Sequence, residues 1–336
     1  MLAAGPRWST RETEAALAVG LLVAALGFAF VSGANDGATL GATGARAASM
    51  SILATLGVLA VSVGVVPVLV GTEVATTLAH GLVAFDAGGG RLAFLAAVTA
   101  GLTVVAVLTR RGLPTSVTLA LTGGILGAGL GAGLPLHWET TSVVVVAGVF
   151  GPLVAAALAY VLASRVRSTL GPGPRGSWRS RALRRSGFVL QSFAYGANGA
   201  EKLVAFVAVA TGASLDPVRA VLGSQLAVAA CFVAGAVVAV RRLSKRVTDQ
   251  LVRARPDGAL SALVASSALV LAGAAVGLPV SSTQASTASL IGATARLTPN
   301  RVRLRQVVSL AAAWSLTLPA ALGGGVLLGL AVRLVR

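Results

Sequence analysis

The sequence predicts an all-α polytopic membrane protein made of two inverted-topology repeats, each carrying a broken helical hairpin. Three observations lead there. The chain of 336 residues is 56% hydrophobic and 11% charged, with a mean hydropathy of +0.87, too little polar surface to cover a water-soluble globule of that size. Apolar stretches close to the ~20 residues that a helix needs to cross a bilayer recur along the whole length. Two motifs are each written twice, in the same order. Gly33-Ala-Asn-Asp-Gly-Ala38 is answered by Gly196-Ala-Asn-Gly-Ala-Glu201, and the run GLPTSVTLALTGGILGAG from Gly112 by GLPVSSTQASTASLIGA from Gly277, at offsets of 163 and 165 residues. Paired, glycine-interrupted apolar segments in two halves of a membrane protein mark a secondary transporter whose site lies between the repeats.

Repeat 1 is assigned to residues 1–168. Its first span, 15–34, follows Arg7 and Arg11 and has the look of a leader peptide, but it ends in a charged motif instead of a small-residue cleavage site and further spans follow at once. A retained first helix is expected. Spans at 47–70 and 91–109 come next, then a broken hairpin at 112–133 and a span at 139–164. In the hairpin, Gly and Pro should end one helix and seat proline in the first turn of the next, where its missing N–H costs nothing. Thr115, Ser116 and Thr118 fall in that turn, and Gly123, Gly124, Gly127 and Gly129 behind it permit close helix contact.

A Gly/Pro/Ser/Arg linker is assigned to 169–186, and repeat 2 to 187–336. The linker's GPGPRGSWRSR has the turn residues and charge of a solvated loop. Repeat 2 holds spans at 187–210, 217–240, 259–276 and 306–332, with the second broken hairpin at 277–297. There Ser281, Ser282, Thr283 and Gln284 follow the proline, and Ala288, Ser289, Gly292 and Ala293 supply the small residues.

The formal charge of +17 is distributed as loop clusters and makes no docking face for nucleic acid. Arg165, Arg167, Arg175, Arg179, Arg181, Arg184 and Arg185 surround the linker with no acid among them, and Arg241, Arg242, Lys245, Arg246, Arg253 and Arg255 lie between two later spans. The positive-inside rule accounts for both and places the linker in the cytoplasm, against anionic lipid. An odd number of crossings per repeat would then put both termini outside. Arg7, Arg11, Arg333 and Arg336 argue the other way, so the absolute orientation stays open. Arginine outnumbers lysine 25 to 2, a composition of GC-rich bacterial genomes, which suggests a multi-pass protein of the bacterial cytoplasmic membrane. Cys231 stands alone in an apolar stretch as a small packing residue. His80 and His137 are far apart in sequence and form no metal-binding or catalytic spacing, which argues against an enzyme.

A restarted half-helix offers unpaired backbone N–H groups and the positive end of its dipole, and hydroxyls in its first turn add neutral donors. That combination suits an oxyanion and lets it leave again. Ser116, Thr118, Ser281, Ser282 and Thr283 are the candidate substrate contacts, with Asn35 and Asn198 as further amide donors. The alternative is a pair of kinked helices with small packing faces; recurrence at matched positions favours the site. Asp36 ends an apolar run, so its carboxylate is expected at membrane depth, where such a group usually marks an ion path. Asp36 and Asn35, with Asn198 and nearby unwound backbone carbonyls, suit a small hard cation such as sodium. A helix-end cap is the other reading of Asp36. Glu201 is a further coupling-cation candidate, and Glu201 and Lys202 are read as neighbours able to neutralise each other.

These residues resemble the inorganic phosphate transporter (PiT) family, whose members carry a Gly-Ala-Asn-Asp signature and a Gly-Leu-Pro-Val-Ser-Thr-Thr-His hairpin in each half. Gly33 to Ala38 matches the first signature closely, and Tyr195-Gly-Ala-Asn198 with Glu201-Lys202 resembles the form His-Gly-Ala-Asn-Asp-Ala-Gln-Lys. Val70-Gly-Thr-Glu-Val-Ala-Thr-Thr-Leu78 is similar to the family's stretch between signature and hairpin. The resemblance covers nearly the whole chain and implies a cation-coupled importer of inorganic phosphate without a cofactor, with sulfate or another tetrahedral oxyanion as the rival cargo, a transport-inactive homologue as a second rival, and a homodimer as an open assembly state. The chain departs from the pattern at four places. The second signature aspartate is Gly199, the hairpin histidines are Leu119 and Gln284, one hairpin hydroxyl is Val117, and the glutamate of a family Ile-Phe-Glu stretch is Ala54. With one aspartate gone and Glu201 in place of a glutamine, sodium and protons are equally open as the coupling ion.

Overall fold

The computed structural model describes residues 10–85, 90–170, 178–211, 222–244 and 256–335. The first half forms α1 (Thr10–Ser32), α2 (Ala38–Ala47), α3 (Ile52–Val70), α4 (Glu73–Ala79), α5 (Gly90–Arg110), α6 (Val117–Ala132) and α7 (Trp138–Leu170). The second forms α8 (Trp178–Tyr195), α9 (Glu201–Thr211), α10 (Leu222–Ser244), α11 (Pro256–Ala275), α12 (Ser282–Leu297) and α13 (Leu304–Val335). A π turn, Gly33–Gly37, joins α1 to α2 and another, Gly196–Ala200, joins α8 to α9. Of the expected linker, 171–177 lie outside the described residues, while 178–186 make up the first half of α8.

Among the described residues, six helices are long and apolar enough to cross a membrane: Glu14–Ala47, Ile52–Val70, Gly90–Arg110, Trp138–Ser168, Asp257–Ala275 and Leu304–Val335. The span expected at 187–210 and the described part, 222–240, of the one expected at 217–240 are helical as well but less apolar; 217–221 lie outside the described residues. Four arginines open α8 and Glu201 and Lys202 open α9, while the apolar part of α10 is the shorter Gln225–Arg241. Exposed Val143, Val146, Val149, Phe150, Leu153 and Val161 along α7 give that helix the apolar outer surface that lipid requires.

Both hairpins break for the same local reason. At the end of α5, Gly112 adopts φ +70°, its N–H donates to the Thr109 carbonyl at 2.8 Å, and the Leu113 N–H donates to Leu108 at 3.0 Å. At the end of α11, Gly277 adopts φ +66°, with matching bonds from Gly277 to Ala274 (3.0 Å) and from Leu278 to Gly273 (2.8 Å). This is the left-handed glycine cap that satisfies the last carbonyls, and the following proline prevents the helix from continuing. The restart differs from the expectation. Pro114 and Pro279 sit in extended links, and the new helices begin later, at Val117 and Ser282, because Ser116 and Ser281 take extended backbone angles and cap them.

The two halves exchange partners. Hairpin helix α6, from the first half, packs chiefly on α13 from the second, and α12 packs on α7 from the first. Small residues make this possible. A side chain at Gly123, Gly127 or Gly131 would run into the carbonyls of Leu318, Leu322 or Val326 on α13, and Gly325 and Gly329 present the reciprocal face to α6. Gly124 lies against Ala97 of α5, and Gly292 of α12 against Ala156 of α7. Gly129 instead faces the side chains of Val83 and Leu136, outside the α13 contact.

Candidate functional site

Both asparagine signatures lie in π turns, so the long helices α1–α2 and α8–α9 continue through them; the backbone there is widened, where the sequence suggested an unwound segment. Such turns are frequent at functional sites. Glycine is needed for packing: a Cβ at Gly33 would meet the Phe232 carbonyl, and one at Gly196 the Ser62 carbonyl and the Val66 side chain.

Each signature asparagine holds the extended link of the hairpin in its own half. Asn35 Nδ2 donates to the Thr115 carbonyl at 2.8 Å while its Oδ1 accepts the Thr115 N–H at 3.0 Å. Asn198 Nδ2 donates to the Leu278 carbonyl at 2.9 Å and its Oδ1 accepts the Val280 N–H at 3.0 Å. Peptide groups that the helix break leaves exposed are thus satisfied inside the protein, as buried backbone requires. The second Asn35 donor goes to Asp36 Oδ1 at 2.9 Å and its carbonyl also accepts from the Thr109 hydroxyl at 3.3 Å. All donors of Asn35 are therefore engaged by the protein, so its role here is to position the link.

The hairpin tips meet. The Thr118 hydroxyl at the start of α6 donates to the Val280 carbonyl in the second link at 3.3 Å. Asp36 reaches the other hairpin, accepting the hydroxyl of Thr283 on α12, with a longer bond from the Tyr195 hydroxyl at 3.4 Å. Lys202 enters from the opposite side. Its Nζ donates to Thr118 Oγ1 at 2.7 Å and to the Val280 carbonyl at 3.0 Å, and the residue is only 3% exposed. The expectation of a purely neutral donor set is corrected here, because one buried ammonium stands at the junction. Lys202 and Glu201, adjacent in sequence, send their hydrogen bonds to different partners. The Glu201 carboxylate turns away to accept from the Val74 and Ala75 N–H groups at 2.9 and 3.4 Å, supplying the cap that Thr72 does not give to α4.

The serine hydroxyls divide into two kinds. Ser116 Oγ accepts from the Leu119 N–H at 3.0 Å and Ser281 Oγ from the Gln284 N–H at 3.4 Å, so both are helix caps. Each cap still leaves the first two N–H groups of its helix without an intrahelical partner. Ser282 is different: its hydroxyl is buried and meets no partner. With Thr118 and Thr283 it supplies side-chain oxygens at two helix N-termini, whose dipoles favour an anion.

Lys202, Tyr195 and Thr115 were not singled out as site residues from the sequence. Lys202 follows Asn198 by four positions, a spacing that puts two side chains on one helix face and was available as a signal; both of them grip Val280. Tyr195 also explains the missing acid. A Cβ at Gly199 would meet the Tyr195 ring, which packs on Phe232 with centroids 5.4 Å apart, so the phenol fills the place of a side chain at 199. Among the described residues no cluster of three or more His, Cys, Asp and Glu is present to hold a metal ion.

The chain was compared with known proteins. The model of the phosphate transporter family matches residues 32–191 and 181–325. A protein of Mycobacterium bovis named "Probable low-affinity inorganic phosphate transporter" is 31% identical over 319 residues, covering 90% of this chain and 74% of the relative. A Bacillus subtilis protein of the same name is 25% identical over 316 residues, covering 90% and 93%. Among solved structures, "The sodium-dependent phosphate transporter" superposes with a TM-score of 0.78 over 96% of this chain and 100% of its own, at 17% identity, which shows a shared fold. The signature motifs, the paired hairpins and a family match over most of the chain have one outcome: the chain belongs to the phosphate transporter family.

Proposed function

We propose that this protein is a cation-coupled symporter that imports inorganic phosphate across the bacterial cytoplasmic membrane. As a member of a transporter family it moves its substrate and does no chemistry on it. The observation that carries the reading is the convergence of Asp36, Thr283, Lys202 and Thr118 where the two hairpin tips meet. Phosphate would bind against the Ser282 hydroxyl and the first N–H groups of α6 and α12, with the Thr118 and Thr283 hydroxyls turning to it from Val280 and Asp36, and with Asp36 helping to hold a coupling cation. Ser116, Ser281, Asn35 and Asn198 serve that site by fixing its helix starts and links. An inside-negative potential opposes anion entry by about 2.3 kcal/mol per charge for each ~100 mV, so uptake needs a co-transported cation, sodium or a proton. The two halves, read as inverted repeats, would alternate access by moving one hairpin group against the other.

The test is labelled phosphate uptake into liposomes holding the purified protein, with sodium and proton gradients imposed separately. Concentrative uptake driven by either gradient, and reduced by at least about tenfold in Asp36→Asn with the protein still folded, is the expected result. Uptake of sulfate in preference to phosphate across pH would assign the site to the other oxyanion. No uptake of either anion under any gradient would refute transport.

A further inference from the structure

The internal repeat makes a specific comparison available inside the site. Asp36, in the first π turn, accepts the hydroxyl of Thr283 on the first turn of α12. The matching positions of the other half are residue 199, in the second π turn, and Thr118, on the first turn of α6. By that correspondence a carboxylate at 199 would face Thr118. Residue 199 is glycine, and the ring of Tyr195 fills the space beside it. The Thr118 hydroxyl is bonded instead by the Lys202 ammonium at 2.7 Å.

The surroundings of that ammonium are those of a bound cation. Its nitrogen is held by a hydroxyl oxygen and a main-chain carbonyl oxygen, the second at 3.0 Å from an extended link within the helix break. Asp36 lies at the same junction, accepting the Thr283 hydroxyl. Hydroxyl and main-chain carbonyl oxygens at a broken helix are ligands that hard monovalent cations take in transporters. We propose that Lys202 is a tethered cation, occupying the position of one mobile coupling ion at the hairpin junction. This rests on the phosphate symport reading and deepens it. A tethered charge attracts the anion and offsets Asp36, yet it stays with the protein when phosphate leaves. One fewer cation then needs to travel with each phosphate, and the driving force for accumulation is lower by that ion's gradient.

The experiment replaces the ammonium and asks whether a free cation takes its place. Lys202→Gln and Lys202→Met are purified with the unchanged protein, and each is measured for phosphate uptake and for thermal unfolding against sodium, with choline as the control salt. The expected result is that a neutral variant gains a sodium dependence beyond whatever the unchanged protein shows. Sodium should raise its uptake about tenfold with a steeper sodium dependence, and should raise its unfolding temperature more than that of the unchanged protein, because a ligand that binds only the folded state stabilises it. Lys202→Arg, which keeps the charge, should not gain this response. The idea is overturned if the neutral variants respond to sodium as the unchanged protein does, or if they lose uptake at every sodium concentration with no added stabilisation. The unfolding measurement also separates the two claims: if the unchanged protein moved no phosphate at all, a sodium response of stability confined to the neutral variants would still assign Lys202 its place.

Discussion

Ser282 and Ser281 are adjacent and chemically identical, yet the structure gives them different work. The Ser281 hydroxyl caps α12 through the Gln284 N–H at 3.4 Å, whereas the Ser282 hydroxyl is buried without a partner. A buried polar atom that folding leaves unsatisfied costs about 1–3 kcal/mol, and removing it relieves that cost. Ser282→Ala should therefore leave the unfolding temperature unchanged or slightly higher. If the hydroxyl is kept for phosphate, the same change should cut uptake by about tenfold, the loss of a hydrogen bond to a charged group. Ser281→Ala should do the reverse in part, lowering stability by about 1 kcal/mol through the lost cap. Uptake by Ser282→Ala at the unchanged rate would remove this residue from the site.

At the level of single elements, the glycine of the second π turn and the tyrosine before it act as one unit. Alanine normally favours a helix over glycine by roughly 0.5–1 kcal/mol, but at 199 its methyl would press on the Tyr195 ring, which is wedged against Phe232. Gly199→Ala alone should lower the unfolding temperature. In a Tyr195→Ala background, where the ring is gone, the same substitution should raise it. A double-mutant cycle measures this coupling directly, and additive effects would show that the ring and the glycine do not compete for space. The π turn also marks where sequence reasoning stopped. The hairpin breaks at Gly112 and Gly277 were legible because a glycine, a leucine and a proline in that order encode a helix stop through local backbone geometry. The late restart was not, because a serine hydroxyl after a Gly-Leu-Pro run suits an anion contact and a helix cap alike, and only the extended backbone at Ser116 and Ser281 selects the cap. The directions taken by Glu201 and Lys202 were less legible still. Adjacent in sequence, they part because one finds the open N-terminus of α4 and the other finds Thr118, partners 127 and 84 residues away that only the tertiary fold brings near.

For the whole molecule the decisive feature is that the halves exchange their last helices. The Gly123, Gly127 and Gly131 face of α6 has no complement within its own half, because the carbonyls it packs against belong to α13. The α12 face around Gly292 likewise needs Ala156 of α7. Within a bilayer the hydrophobic effect gives helices little reason to associate, so this close small-residue packing has to supply the attraction. The site inherits the same dependence: Asp36 and Thr118 come from the first half, and Thr283, Lys202 and Val280 from the second. A chain cut between α7 and α8 should consequently fail as either half alone and work as a pair. Co-expressed halves should co-purify and restore phosphate uptake, while the first half by itself should be degraded or aggregate, with α6 accessible to a cysteine reagent at Gly127→Cys. The same substitution in the intact chain is unsuitable as a control, since it would disrupt the α6–α13 contact, so Ala120→Cys, fully buried on α6, serves instead and should stay unreactive in the intact chain. A stable first half with α6 protected would mean that the hairpin is held by its own repeat, and that the exchange of final helices contributes little to the fold.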